Sequence, residues 1–408
     1  MFRNRWFIVV ATVVATVLIT VVAQNLSLGD KQIDWRLPHR FPVASEQFPR
    51  SMSSLLGPAL VPGNRVDELL NGEQIFPAML AAIHAATCSI SFESYIYWSG
   101  DIGKQFSDAL TAQAKKGVPV RVLLDWVGSE NLDPAYLDQM KAAGVQVSRY
   151  NRPRWYSIDR LNNRTHRKLM VVDGRVGFIG GVGIADKWLG DGRTPGQWRD
   201  THFRVEGPVV AQMQAAFLDN WLQATGEIPY GEEVFPPATD SGTQRAQAFT
   251  SSPGGGAESM QLMYLVSISS AVNSVKLSMA CFVPDNVAVN TLVAAMQRGV
   301  RVQIILPGEH MDIELVRRAS RAEWSKLLAA GAEIYEYQPA MYHCKIIIVD
   351  DLWVSVGSTN FDSRSFSVND EANLNVYDAA FARRQSEIFE QDRQLSRRIT
   401  YAFAAHHL

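Results

Sequence analysis

The stretch HRKLMVVDGRVGFIGG (residues 166–181) and the stretch HCKIIIVDDLWVSVGS (residues 343–358) decide the fold of this chain. Each begins with the pattern H-x-K-x₄-D, continues through a β-rich segment and reaches a pair of small residues at the same offset. Two copies of a rare pattern in matching surroundings indicate a duplication rather than a chance match. The sequence therefore predicts one structural unit built twice.

The segments upstream of the two motifs repeat the same order of elements. Residues 86–129 and residues 271–310 each contain an apolar run, a helix-period stretch and then Gly-Val followed by a β-rich run. Both continue into a helix end and a further strand, AAGVQVSRY at 142–150 and AAGAEIYEY at 329–337. This order predicts βαβ units and a parallel or mixed sheet in each half.

Changes in composition give the expected domain limits. The segments before the first half and between the halves are rich in Pro, Ser, Gly or Arg and lack hydrophobic periodicity. The predicted limits are 1–23 for a membrane anchor or signal segment, 24–60 for a tether, 61–228 for the first domain, 229–257 for a linker and entry to the second domain, and 258–408 for the second domain.

The N-terminal segment predicts a single membrane helix. The run from Trp6 to Ala23 is uncharged and long enough to span a bilayer. Because Arg3 and Arg5 precede it, we expect a cytoplasmic N-terminus and catalytic domains on the extracytoplasmic side of the cell membrane. The alternative is a signal peptide cleaved after residues 21–23, which would release a secreted protein.

The overall composition restricts the partners. The 39 Lys and Arg residues are balanced by 41 Asp and Glu, giving a formal net charge of −2, which argues against a nucleic-acid partner. The cysteines Cys88, Cys281 and Cys344 are widely spaced, and the sequence has no zinc-type cluster, P-loop or glycine-rich nucleotide motif. We therefore expect no metal and no cofactor.

The two motifs supply the candidate catalytic residues. These are His166, Lys168, Asp173, His343, Lys345 and Asp350. In a strand, residues i and i+2 face the same way, so the histidine and lysine of each motif share a face. Each aspartate has the opposite parity and lies where the strand ends. We expect the aspartates to fix the turn rather than to touch substrate.

Two facing motifs can perform a two-step phosphoryl transfer. One neutral imidazole attacks phosphorus and forms a phosphohistidine, while the other donates a proton and later acts as base. The lysines neutralise phosphate oxygens, as Mg²⁺ does in other enzymes. Asp200 and Glu371, aligned in WRDTHFRVEG (198–207) and VNDEANLNVY (368–377), are predicted to orient the histidines. Sequence symmetry leaves the order of the two histidines open.

Over about residues 60–378 the chain resembles the phospholipase D superfamily and, within it, the bacterial cardiolipin synthases. The resemblance rests on the two motif stretches together with WRDTHFRVEG, GSTNFDSRSF and NDEANLNVYD. It implies a duplicated α/β fold, in which two α/β/α domains with mixed sheets pack as a pseudo-dimer with the active site between them. It also implies His166 as nucleophile, His343 as acid and base, and Asn360 with neighbouring Ser358 as substrate-binding residues.

The first half departs from the second in two places. Gly183 stands where the second half has Asn360, so one contact of the family pattern is missing. The first half also carries an additional loop, RYNRPRWYSIDRLNNR (149–164), with five arginines. It is either a solvated surface loop or a contact to an anionic substrate or an interface, since Arg binds phosphates and aromatic rings suit lipid headgroups. The tail at 401–408 matches nothing in the family pattern.

The expected function is phosphatidyl transfer between membrane phospholipids, in which two phosphatidylglycerols give cardiolipin and glycerol. The main alternative is a phospholipase D hydrolase that uses water and releases phosphatidic acid. A nuclease is disfavoured by the charge and the anchor. An inactive lipid-binding scaffold is disfavoured because histidine and lysine are intact in both motifs. The expected partners are a phospholipid and the membrane.

Overall fold

The computed structural model describes residues 2–26, 33, 37–152, 162–253, 259–311 and 314–400. The helices in this part of the chain are α1 (Phe2–Leu26), α2 (Gln47–Leu56), α3 (Asn71–Ala85), α4 (Asp101–Lys115), α5 (Pro134–Ala142), α6 (Val210–Thr225), α7 (Ser259–Ser269), α8 (Asn286–Gln297), α9 (Glu314–Ala329), α10 (Ser363–Ser367) and α11 (Ala379–Gln394). The strands are β1 (Val61–Leu70), β2 (Ile90–Ser94), β3 (Val120–Asp125), β4 (Gln146–Tyr150), β5 (Leu169–Val172), β6 (Val176–Gly180), β7 (Trp198–Arg199), β8 (Thr201–Glu206), β9 (Gln244–Ser251), β10 (Ser274–Met279), β11 (Phe282–Val283), β12 (Arg301–Pro307), β13 (Glu333–Tyr337), β14 (Met341–Tyr342), β15 (Lys345–Val349), β16 (Trp353–Gly357), β17 (Phe361–Asp362), β18 (Glu371–Tyr377) and β19 (Ser396–Ile399).

One continuous sheet joins the two halves. In the described part of the chain its 15 strands follow the order β19-β13-β12-β10-β15-β16-β18-β9-β1-β8-β6-β5-β2-β3-β4. Strands β2, β3 and β4 are parallel, as are β10, β12 and β13, and the strands nearer the centre are antiparallel. The predicted duplication with a mixed sheet in each half is confirmed. The half-sheets meet at the antiparallel pair β1 and β9.

Helices cover both faces of the sheet, because successive residues of the motif strands point to opposite sides. On β5, Met170 and Val172 pack in one core with α3, α4 and α5. Leu169 and Val171 pack in a second core that contains residues of both α6 and α11. The two halves therefore share a layer, and the predicted α/β/α arrangement is confirmed.

Strand β9 brings the chain into the second half. It lies inside residues 229–257 and pairs with β18 in a register that runs from Ser251 opposite Glu371 to Arg245 opposite Tyr377. The strand has 8 residues and is flanked by Pro- and Gly-rich segments, so composition alone did not separate it from these flanks. The second structural repeat begins with this strand.

The described C-terminal part of the segment predicted as a tether packs against the second half. Phe48 and Met52 of α2 are fully buried in the core of the second half. The ring of Phe48 lies edge-on to that of Trp353, with 5.0 Å between centroids. The carbonyl of Val43 accepts a hydrogen bond from the Tyr377 hydroxyl at 3.1 Å. This segment covers the second domain because its apolar residues recur at helical spacing.

Helix α1 has the length and composition of a membrane anchor. Its most apolar stretch, Arg5–Ala23, has a mean hydropathy of 2.6, and none of it is buried in the protein. The Thr12 hydroxyl donates to the Ile8 carbonyl at 2.9 Å, so this polar group is satisfied within the helix.

Candidate active site

Two short pairings across the domain interface position the motif histidines. Strands β14 and β7 pair in parallel, and a matching bridge joins Thr165 to Asp370. The backbone N–H of His343 donates to the Arg199 carbonyl at 2.7 Å, and that of His166 donates to the Asp370 carbonyl at 2.8 Å. Each histidine is thereby fixed against a segment of the opposite half.

The orienting carboxylates cross between the halves. His343 Nδ1 lies 2.7 Å from Asp200 Oδ2, and His166 Nδ1 lies 3.0 Å from Glu371 Oε2. Both carboxylates are fully buried. A carboxylate on Nδ1 fixes the ring and leaves Nε2 for the reaction. The sequence predicted the two carboxylates but not that each serves the histidine of the other half.

The two lysines place positive charge between the histidines. Lys345 Nζ donates to the His343 carbonyl at 2.8 Å, and Lys168 Nζ donates to the His166 carbonyl at 2.7 Å. Burial and the charge of Lys345 lower the pKa of Lys168 to about 7. The lysines of opposite halves therefore face a common space, and this space favours an anion.

Both imidazoles are neutral in the substrate-free site. Burial lowers the pKa of His343 to about 3, Lys345 adds to the effect, and Asp200 opposes it only in part. Burial also lowers the pKa of His166, against the opposing charge of Glu371. A neutral imidazole is the form that attacks phosphorus, whereas a general acid must take up a proton when the anionic substrate arrives.

The carboxylates remain charged despite their burial. Burial alone would raise the pKa of Asp200, but His343 and Lys345 outweigh it and hold the pKa below its ordinary value. Burial likewise opposes ionisation of Glu371, and its interactions with His166 and other neighbours lower its pKa. Two fixed negative charges are thus available to stabilise an imidazolium or a charged phosphohistidine ring.

Aromatic rings that the sequence reasoning missed enclose the histidines. Trp198 lies 4.8 Å from the His343 ring between centroids, and Trp188 lies 5.4 Å from it. The Trp188 indole donates to Asp200 Oδ2 at 3.1 Å. Tyr95 packs edge-on to His166 at 5.2 Å. Trp198 could have been found, because it precedes Asp200 by two residues and an extended backbone puts both on one face.

Ser358 was predicted to bind substrate, and in the described structure its hydroxyl contacts an orienting carboxylate. Its hydroxyl is fully buried and donates to Glu371 Oε2 at 2.5 Å. It therefore holds the carboxylate that orients His166. Asn360 is partly buried, and its side-chain oxygen has no hydrogen-bond partner among the described residues. Its predicted role in holding the phosphate stays a prediction.

The glycine that replaces Asn360 in the first half has a steric cause. A Cβ at Gly183 would lie 2.8 Å from the Cβ of Ile96 and 3.3 Å from the Trp188 ring. The indole that donates to Asp200 occupies this region, so no amide side chain can lie there without a shift of its neighbours. The two halves are chemically unequal at this position.

Asp173 and Asp350 do not belong in the catalytic set. The carboxylate of Asp173 accepts hydrogen bonds from the backbone N–H groups of residues 87–89 at 2.7–3.1 Å. That of Asp350 accepts from residues 272–274 at 2.7–2.9 Å. Both backbones are left-handed, with φ of 54° and 53°. The two aspartates fix the turn at the C-terminal end of each motif strand, whereas the histidines lie at the N-terminal end. Strand parity had indicated this role.

The additional loop of the first half lies partly outside the described residues, because 153–161 are not among them. Its described ends contact the second half. The Tyr150 hydroxyl donates to Asp370 Oδ2 at 2.8 Å, and Arg364 donates to the side chain and the carbonyl of Asn162 at 3.0 Å. The start and the end of the loop are therefore tied to the opposite half.

A duplicated α/β/α fold with two H-x-K-x₄-D motifs facing across its interface defines the phospholipase D class of enzymes. The family described as cardiolipin synthase, PLD-like domain, matches residues 79–218 and 264–393. Cardiolipin synthase A of Pseudomonas putida (strain GB-1) is 35% identical over 86% of this chain and 73% of its own length. The major cardiolipin synthase of Bacillus subtilis (strain 168) is 36% identical over 83% of this chain and 70% of its own length.

The chain belongs to the cardiolipin synthase family of phospholipase D-like proteins. The predicted resemblance and the enzyme class are confirmed. The crystal structure of a phosphatidylserine synthase from Haemophilus influenzae Rd KW20 matches with a TM-score of 0.68 at 14% identity, over 86% of this chain and 92% of that one. This similarity supports the fold.

We predict that Asp350→Asn lowers stability without lowering catalysis. The carboxamide NH₂ would face backbone donors that now bind a carboxylate, so the free energy of unfolding should fall by about 1–3 kcal/mol. Chemical unfolding measures the loss, and turnover per folded molecule should stay within about twofold of wild type. Glu371→Gln is the matched comparison, because it should lower turnover instead. Loss of turnover in fully folded Asp350→Asn protein would contradict this assignment.

We also predict that an anion draws a proton into the site. A bound phosphodiester raises the pKa of His343 from about 3, so its binding should tighten as the pH falls through the raised value. Diethyl phosphate is a suitable probe, because its own charge is constant across this range. Calorimetry in two buffers of different ionisation enthalpy should detect proton uptake. His343→Asn should lower this uptake, and the part that remains should come from Lys168, whose pKa of about 7 the bound anion also raises. Binding that is independent of pH in the wild type would refute the prediction.

Proposed function

We propose that this chain is a membrane-bound phosphatidyltransferase that makes cardiolipin and glycerol from two molecules of phosphatidylglycerol. The observation that carries the proposal is the crossed arrangement of two histidines, two carboxylates and two lysines at one interface, in a chain of the cardiolipin synthase family. The relatives named above are cardiolipin synthases, and the match covers both halves of the chain.

In the first step His166 is the nucleophile. Its Nε2 attacks the phosphorus of the donor lipid, and the bond from phosphorus to the glycerol headgroup oxygen breaks. His343, protonated once the anionic donor is bound, gives its proton to the departing oxygen and releases glycerol. Lys168 and Lys345 neutralise the phosphate oxygens, and Glu371 stabilises the positive ring of the phosphohistidine.

In the second step His343 acts as base. It takes the proton from a headgroup hydroxyl of the second phosphatidylglycerol, and the hydroxyl oxygen attacks the phosphohistidine. The phosphorus–nitrogen bond breaks, cardiolipin leaves, and His166 returns to its neutral form. Asp200 stabilises the imidazolium of His343 in both steps, since it contacts Nδ1 of that ring.

Restricted access of water supports transfer over hydrolysis. The side chains of His166 and His343 are only 12% and 11% exposed, and Trp188, Trp198 and Tyr95 pack around them. A lipid hydroxyl held in such a site competes well with water for the phosphohistidine. Hydrolysis to phosphatidic acid would follow the same first step and differ only in the second.

We propose further that α1 anchors the protein in the cell membrane with the catalytic domains on the extracytoplasmic side, because Arg3 and Arg5 precede the apolar run. Cys88 is the exposed cysteine, whereas Cys281 is half-buried and Cys344 is buried. A membrane-impermeant maleimide should therefore label intact cells or spheroplasts at Cys88, and Cys88→Ser should abolish the labelling. Labelling only after the membrane is permeabilised would place the domains in the cytoplasm.

The test of function is the lipid product formed from phosphatidylglycerol vesicles by the reconstituted full-length protein. We expect cardiolipin and glycerol in equal amounts, and His166→Asn and His343→Asn should each lower turnover by about three orders of magnitude or more. His84→Asn is the matched control, because His84 is exposed on α3, away from the motif strands. Phosphatidic acid as main product would support the hydrolase, and no loss in the motif variants would refute both enzymes.

A further inference from the structure

Two arginines of the first half stack on one tryptophan. The guanidinium carbon of Arg149 lies 5.1 Å from the ring centroid of Trp126, and that of Arg152 lies 5.4 Å from it. We call Trp126, Arg149 and Arg152 the Arg–Trp platform. Among the residues that the structure describes, no carboxylate forms an ion pair with either arginine. Burial and the neighbouring charge of Arg152 lower the pKa of Arg149.

The platform lies at the same sheet edge as the first motif. Trp126 follows Asp125, whose Oδ2 accepts a hydrogen bond at 3.1 Å from the backbone N–H of Thr165, the residue before His166. Asp125 is also paired with Tyr150 at the ends of β3 and β4. The carboxyl ends of parallel strands form the edge where α/β proteins bind ligands. The platform therefore borders the catalytic site on the side of His166.

The second half offers an internal comparison. Arg149 in AAGVQVSRY corresponds to Glu336 in AAGAEIYEY. Glu336 is fully buried and forms ion pairs with Arg317, Arg321 and Arg397 at 3.3, 2.8 and 2.6 Å. In the second half, therefore, a buried carboxylate at this strand end neutralises the neighbouring arginines. The first half has an arginine where that carboxylate would be, and no carboxylate of the described residues forms an ion pair with it.

The chemistry of the platform fits a lipid phosphate. Guanidinium groups bind phosphate oxygens through paired N–H donors, and tryptophan is favoured at the depth of lipid headgroups. The chain as a whole carries a formal net charge of −2, so its attraction to an anionic bilayer must come from local patches. The two stacked arginines, which form no ion pair with a carboxylate of the described residues and border the catalytic site on the side of His166, are such a patch.

We propose that Trp126, Arg149 and Arg152 bind the headgroup phosphate of an anionic phospholipid other than the one being cleaved. This contact holds the side of the catalytic site next to His166 against the membrane. The inference rests on the proposed function only in that the substrate is a lipid. Free phosphate shares the same chemistry, and the experiment below distinguishes the two sources.

The kinetic arm compares full-length wild-type protein with Arg149→Gln/Arg152→Gln in vesicles of phosphatidylcholine containing increasing mole fractions of phosphatidylglycerol. The double variant should raise the apparent KM for surface phosphatidylglycerol about tenfold and change kcat by less than about twofold. Arg175→Gln/Arg398→Gln removes the same charge from two other exposed arginines and should leave KM unchanged. If KM rises equally in both double variants, the loss of net charge alone explains the effect, and the proposed lipid site is refuted.

The binding arm needs no turnover. His166→Asn protein in nanodiscs should show stronger fluorescence quenching by brominated phosphatidylglycerol than by brominated phosphatidylcholine. Adding Trp126→Phe should remove part of this difference between the two lipids, because Trp126 is one of the quenched fluorophores. Adding Arg149→Gln/Arg152→Gln instead should remove the same part. If wild-type protein makes no cardiolipin but this quenching persists, the proposed function fails and the lipid site stands. If cardiolipin is made but quenching is the same for both lipids, or millimolar inorganic phosphate abolishes it, the lipid site is refuted.

Discussion

The hydrogen bond from each motif histidine to a carboxylate of the opposite half is the interaction on which the rest of the structure depends. His166 needs Glu371, and His343 needs Asp200, so neither half contains a complete catalytic pair. The pairing works only if the halves are held in one fixed relation. The continuous sheet through β1 and β9 and the shared core between α6 and α11 provide that rigidity. Duplication without this fusion would leave two unoriented imidazoles.

The same crossing sets the electrostatics of the empty site. Two lysines and two ionised carboxylates surround two imidazoles that burial keeps neutral. A site of this kind has its charges placed before substrate arrives, and in the proposed mechanism the negative charge of the phosphodiester favours protonation of His343. Preorganised charge costs little reorganisation during the reaction, which is the main source of catalysis in phosphoryl transfer. Stability and catalysis therefore draw on the same buried groups.

Sequence reasoning was strongest where the pattern is periodic and local. Strand parity separated the histidines and lysines from Asp173 and Asp350, and alignment of the halves found Asp200 and Glu371. It could not show that each carboxylate bonds the histidine of the opposite half. Strand parity gives the face on which a side chain lies, but not which half packs against that face. The contact of the Ser358 hydroxyl with Glu371 could not be predicted either, since its partner lies on another strand. The packing of segment 37–60 and the bounds of strand β9 could not be predicted from composition, because segments rich in Pro and Gly lie beside both.

The two halves kept the same chemistry but diverged around it, and the divergence has a physical consequence. In a symmetric site either histidine could attack first, and donor and acceptor lipids would be bound in the same way. Here Asn360 of the second half corresponds to Gly183 of the first, and Glu336 of the second half corresponds to Arg149 of the first. In the first half, steric exclusion at Gly183 removes a polar contact. In the second half, the ion pairs of Glu336 neutralise positive charge. Such differences make the surroundings of His166 and His343 unequal, as the separate roles proposed for the two histidines require.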